Sequence, residues 1–175
     1  MIKQIHVYGG EVFMALEIER KFLLAVPYEQ LGDRIRVRSE QRIEQTYLAL
    51  EADQELRVRR ITDLDNGEVT YTHTFKKGFG IKREEVEYEI NEGLYEQVVK
   101  AFGAVALTKN RITAEWNGAR IEIDIYDQIQ LTVLEVEFDS EEAALSFEAP
   151  EWFGQDISSS KEYSNKTVWK QLQRK

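Results

Sequence analysis

Residues 121–125 read Ile-Glu-Ile-Asp-Ile, an unbroken alternation of apolar and acidic side chains. Successive side chains of a β-strand point to opposite faces, so this stretch predicts a strand with one dry face and one charged face. Just before it, Asn117-Gly118 is typical of a tight hairpin turn that joins residues 109–116 to residues 119–126. The same period of two recurs in residues 17–19, 45–50, 56–59, 69–76, 85–90 and 134–138.

Helical patterns interrupt the predicted strands in three places. Residues 91–102 have a capping residue at Asn91 and a stop at Gly103, residues 140–147 form a second short pattern, and residues 165–173 follow a predicted cap at Asn165. Both prolines, Pro27 and Pro150, fall between these elements. About eight strands with three or four helices in one unbroken chain predict a strand-rich α+β domain.

The composition limits the classes of function. At 175 residues with 42% hydrophobic residues, the chain can form one domain with a real core. It contains no cysteine and only two histidines, so any metal would need carboxylate ligands and would be a hard cation such as magnesium or manganese. The formal charge of −9 disfavours nucleic acid as a partner. Neither a membrane span nor a signal peptide is visible, and we expect a cytoplasmic protein.

Residues 1–13 do not join smoothly to the pattern that follows Met14. Gly9-Gly10-Glu11 could be encoded by a purine-rich stretch like a bacterial ribosome-binding site just upstream of Met14. We therefore interpret residues 1–13 as a non-native extension and residues 14–175 as a single domain. The alternative is that residues 1–13 form an ordinary extra strand.

The charged residues of the predicted strands fall into short clusters of a single sign, spaced at i and i+2. The acidic pairs at i and i+2 are Glu17 with Glu19, Glu85 with Glu87, Glu122 with Asp124, and Glu135 with Glu137, and the basic positions are Arg57 with Arg59, Lys109 with Arg111, and Lys76. Like charges on one face repel, and mixed signs would relieve that repulsion. For any single strand, exposure to solvent explains the pattern. For the whole set, a sheet closed into a barrel is an alternative, since a lumen with carboxylates and cationic side chains could hold a divalent metal and a chain of phosphates.

The charged motifs follow a fixed order along the chain. They are Glu-x-Glu-x-Lys at 17–21, Leu-Arg-Val-Arg at 56–59, Thr-Phe-Lys at 74–76, Arg-x-Glu-x-Glu at 83–87, Lys-x-Arg at 109–111, Glu-x-Asp at 122–124 and Glu-Val-Glu at 135–137. This set resembles the CYTH, or triphosphate tunnel metalloenzyme, superfamily over residues 14–170. The resemblance implies an α+β fold with an eight-stranded antiparallel β-barrel, or tunnel, and flanking helices. Residues 29–44 form a longer connection than in the shortest relatives, and we interpret them as a solvated helix or a flap over the tunnel mouth.

The resemblance also implies roles for individual residues. The metal, Mg2+ or Mn2+, would be held by Glu17, Glu19, Asp124, Glu135 and Glu137. The triphosphate would be bound by Lys21, Arg57, Arg59, Lys76, Lys109, Arg111 and Lys161. Glu19, Lys21 and Lys76 would be catalytic, and Glu85, Glu87 and Glu122 would line the tunnel. Arg83 either orients neighbouring carboxylates or lies on the surface, and His73 is expected outside the tunnel.

Members of this family hydrolyse inorganic triphosphate, hydrolyse thiamine or nucleoside triphosphates, or convert ATP to cyclic AMP. No adenosine pocket is evident in the sequence, and the ending of the chain is similar to that of short bacterial members. We therefore predict metal-dependent hydrolysis of inorganic tripolyphosphate to pyrophosphate and phosphate. A class IV-type adenylate cyclase, a thiamine or nucleoside triphosphatase, and a non-catalytic polyphosphate or nucleotide sensor are the alternatives. The predicted partner is a small triphosphate or polyphosphate, not nucleic acid or a membrane, and a homodimer is left open.

Overall fold

The computed structural model describes residues 2–7 and 10–174, with side chains from residue 15 onward. Its strands are β1 (Ile2–Val7), β2 (Gly10–Leu23), β3 (Arg36–Leu50), β4 (Gln54–Asp63), β5 (Val69–Phe79), β6 (Lys82–Glu89), β7 (Leu107–Trp116), β8 (Ala119–Tyr126) and β9 (Leu131–Glu137). The helices are α1 (Glu92–Phe102), α2 (Glu141–Ser146) and α3 (Asn165–Leu172), with short 3₁₀ turns at Tyr28–Gln30, Gly32–Arg34, Glu151–Phe153 and Lys161–Tyr163. Among the described residues, no helix is long and apolar enough to cross a membrane.

Eight of the strands close into an antiparallel barrel, which confirms the predicted fold. The strand order is β2-β6-β5-β4-β3-β7-β8-β9, and β9 returns to β2 through the pairing of residues 19–23 with residues 133–137. Outside this ring, β1 pairs with the first part of β2. Part of the predicted extension therefore lies in strands, but residues 1, 8 and 9 and all side chains up to Met14 are outside the described residues. The assignment of residues 1–13 as non-native stays a prediction.

The local signals read from the sequence explain most of the element boundaries. Asn117 and Gly118 both have positive φ angles, 48° and 79°, and form the tight turn between β7 and β8. The Asn91 side chain caps α1 by accepting a hydrogen bond from the backbone of Leu94, and Gly103 ends the helix in the left-handed conformation. The prediction for α3 is wrong by one residue, because Ser164 provides the cap. The Asn165 side chain instead accepts a hydrogen bond from the Tyr126 hydroxyl.

The prediction of a solvated helix or a flap in residues 29–44 is wrong. Short 3₁₀ turns occupy residues 28–34, and from Arg36 the chain forms β3, a strand of 15 residues. Residues 36–45 of this strand pair with β7 and residues 41–50 pair with β4. The period of two predicted only residues 45–50 of this strand, because in its first half most side chains on both the lumen face and the outer face are polar. Arg42, for example, points outward to Asp127.

Two apolar regions hold the barrel together from outside and from one end. The outer face of β2, β7, β8 and β9 is covered by the segments around residues 24–35 and 144–153, which bury Phe22 and Phe153 against each other. At one end of the barrel, Val168 and Leu172 of α3 pack with the inner-face residues Leu107, Tyr126 and Val133. The charged part of the lumen therefore begins directly above an apolar plug.

Gly154 is the glycine that this packing requires. Its φ and ψ angles of 82° and −153° lie in a region that is nearly restricted to glycine, and a Cβ atom there would lie 2.0 Å from the Leu23 carbonyl oxygen. Gly103 has a φ angle of 58° with nothing within 4 Å of an added Cβ.

We expect Gly154→Ala to lower the free energy of unfolding by roughly 3 kcal/mol, because strain and a backbone clash add together. Gly103→Ala is the control and should cost about 1 kcal/mol, since only the left-handed conformation is penalised. Urea unfolding followed by tryptophan fluorescence measures both values. Equal losses in the two variants would show that the segment at Gly154 does not pack against β2 as described.

Candidate active site

The register of the strands determines which side chains face the lumen. Residues directly opposite each other in neighbouring strands share a face of the sheet. Glu19 lies opposite Glu137, Glu122 lies opposite Glu135, and Arg111 lies opposite Asp124. The charged residues on the inner face include Glu17, Glu19, Lys21, Glu55, Arg57, Arg59, Lys76, Arg83, Glu85, Glu87, Lys109, Arg111, Glu122, Asp124, Glu135 and Glu137, with Glu115 and Arg120 at the rim.

The structure thus brings together every predicted site residue except one. Lys161 is exposed on the turn that precedes α3 and is not on a barrel strand. Its assignment as a phosphate-binding residue has no support from this position. His73 lies on the outer face of β5, as expected, and its ring centre is 5.2 Å from that of Tyr88.

The most buried charges form a group around Asp124. Asp124 is fully buried and accepts hydrogen bonds from the Lys109 ammonium and from Arg111, whose Nε and Nη2 atoms are each 2.7 Å from a carboxylate oxygen. Burial lowers the pKa of Lys109 to about 8, and the neighbouring Arg111 acts in the same direction against the attraction of Asp124. Asp124 is therefore engaged by two cations at once, deep in the barrel.

A second group is built on β2. The Lys21 ammonium lies 2.6 Å from Glu135 and 3.2 Å from Glu19, while Arg83 Nη2 lies 2.7 Å from the same Glu19 oxygen. Burial opposes ionisation of Glu19, but Lys21 and Arg83 outweigh it and lower the pKa of that carboxyl. Of the two readings for Arg83, the structure supports orientation of the neighbouring carboxylates.

The wall formed by β4, β5 and β6 leaves cationic donors without partners. Lys76 bonds to Glu17 at 2.7 Å and also to Glu85. The nearest carboxylate oxygen to Arg57 is 3.7 Å away, on Glu85. The Nε atoms of both Arg57 and Arg59 are buried and have no hydrogen-bond partner. Buried donors of this kind fit an anionic ligand with several oxygens, because an unmade hydrogen bond to a charged group is costly.

Carboxylates crowd together at the end of the lumen away from α3. Partial desolvation raises the pKa of Glu137, although its side chain is exposed at the rim. The nearby carboxylates of Glu122, Glu19 and Glu17 raise this pKa further, against the attraction of Arg120. Burial also raises the pKa of Glu17, although Lys76 opposes this shift. Among residues 15–174, Glu137 has no cationic side chain within ion-pair distance, and no three acidic or histidine side chains are close enough together to hold a metal ion. The repulsion between these neighbouring carboxylates is unfavourable. A divalent cation, which prefers oxygen ligands, would relieve it.

Several lumen residues could not be found from charge alternation because they are uncharged. Gln45 and Tyr47 face inward from β3, and Thr74 donates a hydrogen bond to Glu87 at 2.6 Å. Burial and Glu55 raise the pKa of Tyr47 to about 12, so this phenol stays protonated. Tyr47 lies opposite Arg57 and Gln45 lies opposite Arg59 in the neighbouring strand. This pairing shows that both side chains face the lumen.

Comparisons with known proteins identify the family. The CYTH domain model matches residues 15–168. An inorganic triphosphatase of Nitrosomonas europaea is 33% identical over 156 residues, which cover 87% of this chain and 95% of that protein. A crystal structure of an inorganic triphosphatase aligns with a TM-score of 0.61 and 30% identity over 88% of this chain and 94% of that chain. A protein of Pyrococcus horikoshii OT3, at 18% identity and a TM-score of 0.57 over 73% of this chain and 81% of that chain, shares the fold. These matches agree with the ordered motifs and the closed barrel, and the chain belongs to the CYTH domain family.

Proposed function

We propose that this protein hydrolyses inorganic tripolyphosphate to pyrophosphate and phosphate with the help of a divalent cation bound in the barrel. The observation that carries this proposal is a single closed lumen in which cationic side chains with unused donors face carboxylates. The activity named for the relative from Nitrosomonas europaea, together with its extent of similarity, supports the same reaction.

The cationic residues would hold the phosphate chain. Arg57 and Arg59 offer their unpaired Nε donors, and a guanidinium can bind two phosphate oxygens in parallel. Lys76 and Lys21 are flexible point charges that can leave their present carboxylates for a phosphate oxygen. The carboxylates of Glu135 and Glu19 raise the pKa of Lys21. Lys21 therefore stays protonated at neutral pH and can stabilise negative charge that develops on a leaving pyrophosphate.

The carboxylates nearest to one another at the open end of the lumen would hold the cation. We assign this role to Glu17, Glu19 and Glu137, with Glu135 joining them when Lys21 turns to the substrate. Asp124 is less suited, because it is fully buried and both of its carboxylate oxygens already accept hydrogen bonds from Lys109 or Arg111. A bound divalent cation supplies charge neutralisation at the phosphate oxygens. Glu19, which is ionised because its pKa is lowered, can accept a hydrogen bond from the attacking water and orient it toward the terminal phosphorus.

The lining of one cavity at the lumen rim supports an inorganic substrate over a nucleotide. A cavity of about 360 Å³ adjoins the inner face there and is lined by Arg38, Ser39, Gln41, Thr113, Ala114, Glu115 and Arg120. None of these lining residues is aromatic, so this cavity offers no ring on which an adenine base could stack. Cyclisation of ATP needs the nucleoside to be held in place, and adenylate cyclase therefore remains the second candidate.

The first experiment measures phosphate release from tripolyphosphate, ATP and thiamine triphosphate with Mg2+ or Mn2+, and cyclic AMP in the same ATP reactions. We expect fastest release from tripolyphosphate and loss of all release in the presence of a chelator. Formation of cyclic AMP and pyrophosphate from ATP would assign the cyclase instead. Binding of tripolyphosphate without turnover of any substrate would assign a sensor. The preference between the two metals and the cytoplasmic location stay predictions.

Replacement of Glu137 tests how much the repulsion among the clustered carboxylates lowers the stability of the folded protein. The folded-state pKa of Glu137 is raised, so the folded protein holds its proton more tightly than the unfolded chain does, and stability falls as the pH rises through that folded-state pKa. We therefore expect Glu137→Gln to raise the urea midpoint at pH 7. The difference between the midpoints at pH 5 and pH 7 should be smaller in this variant than in the wild type. The same variant should lose about 100-fold or more in metal-dependent activity, because a proposed ligand is removed.

The matched control is Glu115→Gln, on the rim of the same barrel. A hydrogen bond from Arg38 lowers the pKa of Glu115, so its charged form is favoured in the folded state. This substitution should not raise the urea midpoint, and it should leave activity within about twofold. Glu137→Gln protein that is less stable than wild type at pH 7 would contradict the proposed crowding of carboxylates.

A further inference from the structure

Arg20 stands between the proposed catalytic residues Glu19 and Lys21 but points the opposite way. Neighbouring residues of a strand alternate between faces, so the Arg20 side chain leaves the barrel on its outer side. There its Nη1 atom donates to the carbonyl oxygens of Ala144 and Phe147, at 3.0 and 2.7 Å. Its Nε and Nη2 atoms both donate to Asp156 Oδ2. The guanidinium also lies over the rings of Phe22 and Phe147, at 5.3 and 5.8 Å from their centres.

The partner of Arg20 belongs to the segment that completes the wall beside Lys21. The pairing of β2 with β6 stops at Ile18, and beyond that point residues 155–158 lie along this edge of β2. The Leu23 amide donates to the Gln155 carbonyl and the Ile157 amide donates to the Lys21 carbonyl, each at 2.8 Å. Without this segment, the backbone groups of residues 21–23 on this edge of β2 would have no strand to pair with.

A continuous chain of hydrogen bonds connects Arg20 to the backbone of Lys21. Asp156 Oδ1 accepts hydrogen bonds from both the amide and the hydroxyl of Ser158. Ser158 Oγ in turn accepts a hydrogen bond from the Lys21 amide at 3.0 Å. Asp156 is thus held from one side by Arg20 and holds Ser158 on the other. The rotamer of Ser158 is fixed, and with it the position of the Lys21 amide.

We propose that Arg20, Asp156 and Ser158 form a relay of positioning residues that sets Lys21 in the lumen, where it meets the substrate. The inference rests on the proposed function, because Lys21 is there assigned to a phosphate group. None of the three residues touches the lumen, so the relay acts on the reaction only through Lys21. A displacement of about 1 Å at such a group is enough to slow a reaction substantially.

A double-mutant cycle with Lys21 tests this inference. Arg20→Met should lower kcat/KM for tripolyphosphate about tenfold, and Ser158→Ala should have a smaller effect in the same direction. In a Lys21→Met background, where there is no ammonium to position, neither substitution should change kcat/KM by more than about twofold. Losses that multiply with the Lys21→Met loss would overturn the relay, as would full activity of Arg20→Met.

Arg42→Met is the matched control. Arg42 also points outward from a barrel strand and bonds to an aspartate, with Nη2 2.9 Å from Asp127, but it has no connection to the Lys21 segment. We expect it to lose stability in urea as Arg20→Met does and to keep kcat/KM within about twofold. Equal losses of activity in the two variants would reduce the role of Arg20 to general stability and would overturn the proposal.

Hydrogen exchange of backbone amides tests the relay without relying on enzymatic activity. Ser158→Ala removes only the hydroxyl that accepts from the Lys21 amide, so that amide should exchange at least about tenfold faster than in the wild type. The Glu19 amide, which donates to the Ile81 carbonyl at 2.9 Å, is the internal reference and should be unchanged. Unchanged exchange at Lys21 would overturn the relay. If the wild type fails to hydrolyse tripolyphosphate while Ser158→Ala still shows this faster exchange, the proposed function alone is overturned.

Discussion

The structure depends on the pairing of opposite charges inside a closed barrel. Asp124 and Lys109 are almost completely removed from solvent, and so are Glu135 and Arg57. Such groups are tolerated only because each carboxylate has a cationic partner, and loss of one partner leaves a buried charge that typically costs about 3–5 kcal/mol. An apolar lumen of the same volume would be at least as stable, so stability alone does not account for this choice of residues.

The same ion pairs divide the lumen into two sets of groups that suit two ligands. When Lys21 bonds to Glu135, neither its ammonium nor the carboxylate is free for a ligand. On the proposed function, a phosphate that draws Lys21 away also frees one oxygen of Glu135 for a divalent cation, while Arg111 lies 3.3 Å from the other oxygen. Each ligand then makes room for the other, and the coupling must be equal in both directions. Lys21 thereby exchanges an internal partner for an external one and keeps a partner of opposite charge throughout.

The sequence predicted the barrel well because alternation and motif order carry strong information. The residues of 121–125 and the turn at Asn117-Gly118 are found where they were expected, and so are the charged motifs on the inner face. The first half of β3 was missed because neither of its faces is apolar, which is the property that a period of two detects. The role of Lys161 stays a prediction, because a motif at the end of the chain says nothing about which side of the barrel it reaches. Alternation also indicates only that Arg20 faces outward. Its connection to Lys21 depends on a segment that is 136 residues away and could not be seen from the sequence.

The closure of the barrel through β2 also has a consequence for how the chain reaches this state. Lys21 and Glu135 are separated by 114 residues, yet their strands are neighbours. The pairing of β2 with β9 can form only after the other strands have been synthesised, because β9 is the last strand of the chain. Proteins dominated by such distant pairings fold in milliseconds to seconds and not in microseconds. Until β2 pairs with β9, the edge of β2 that carries Glu19 and Lys21 is open to water, and charged side chains at an open edge disfavour pairing with other chains.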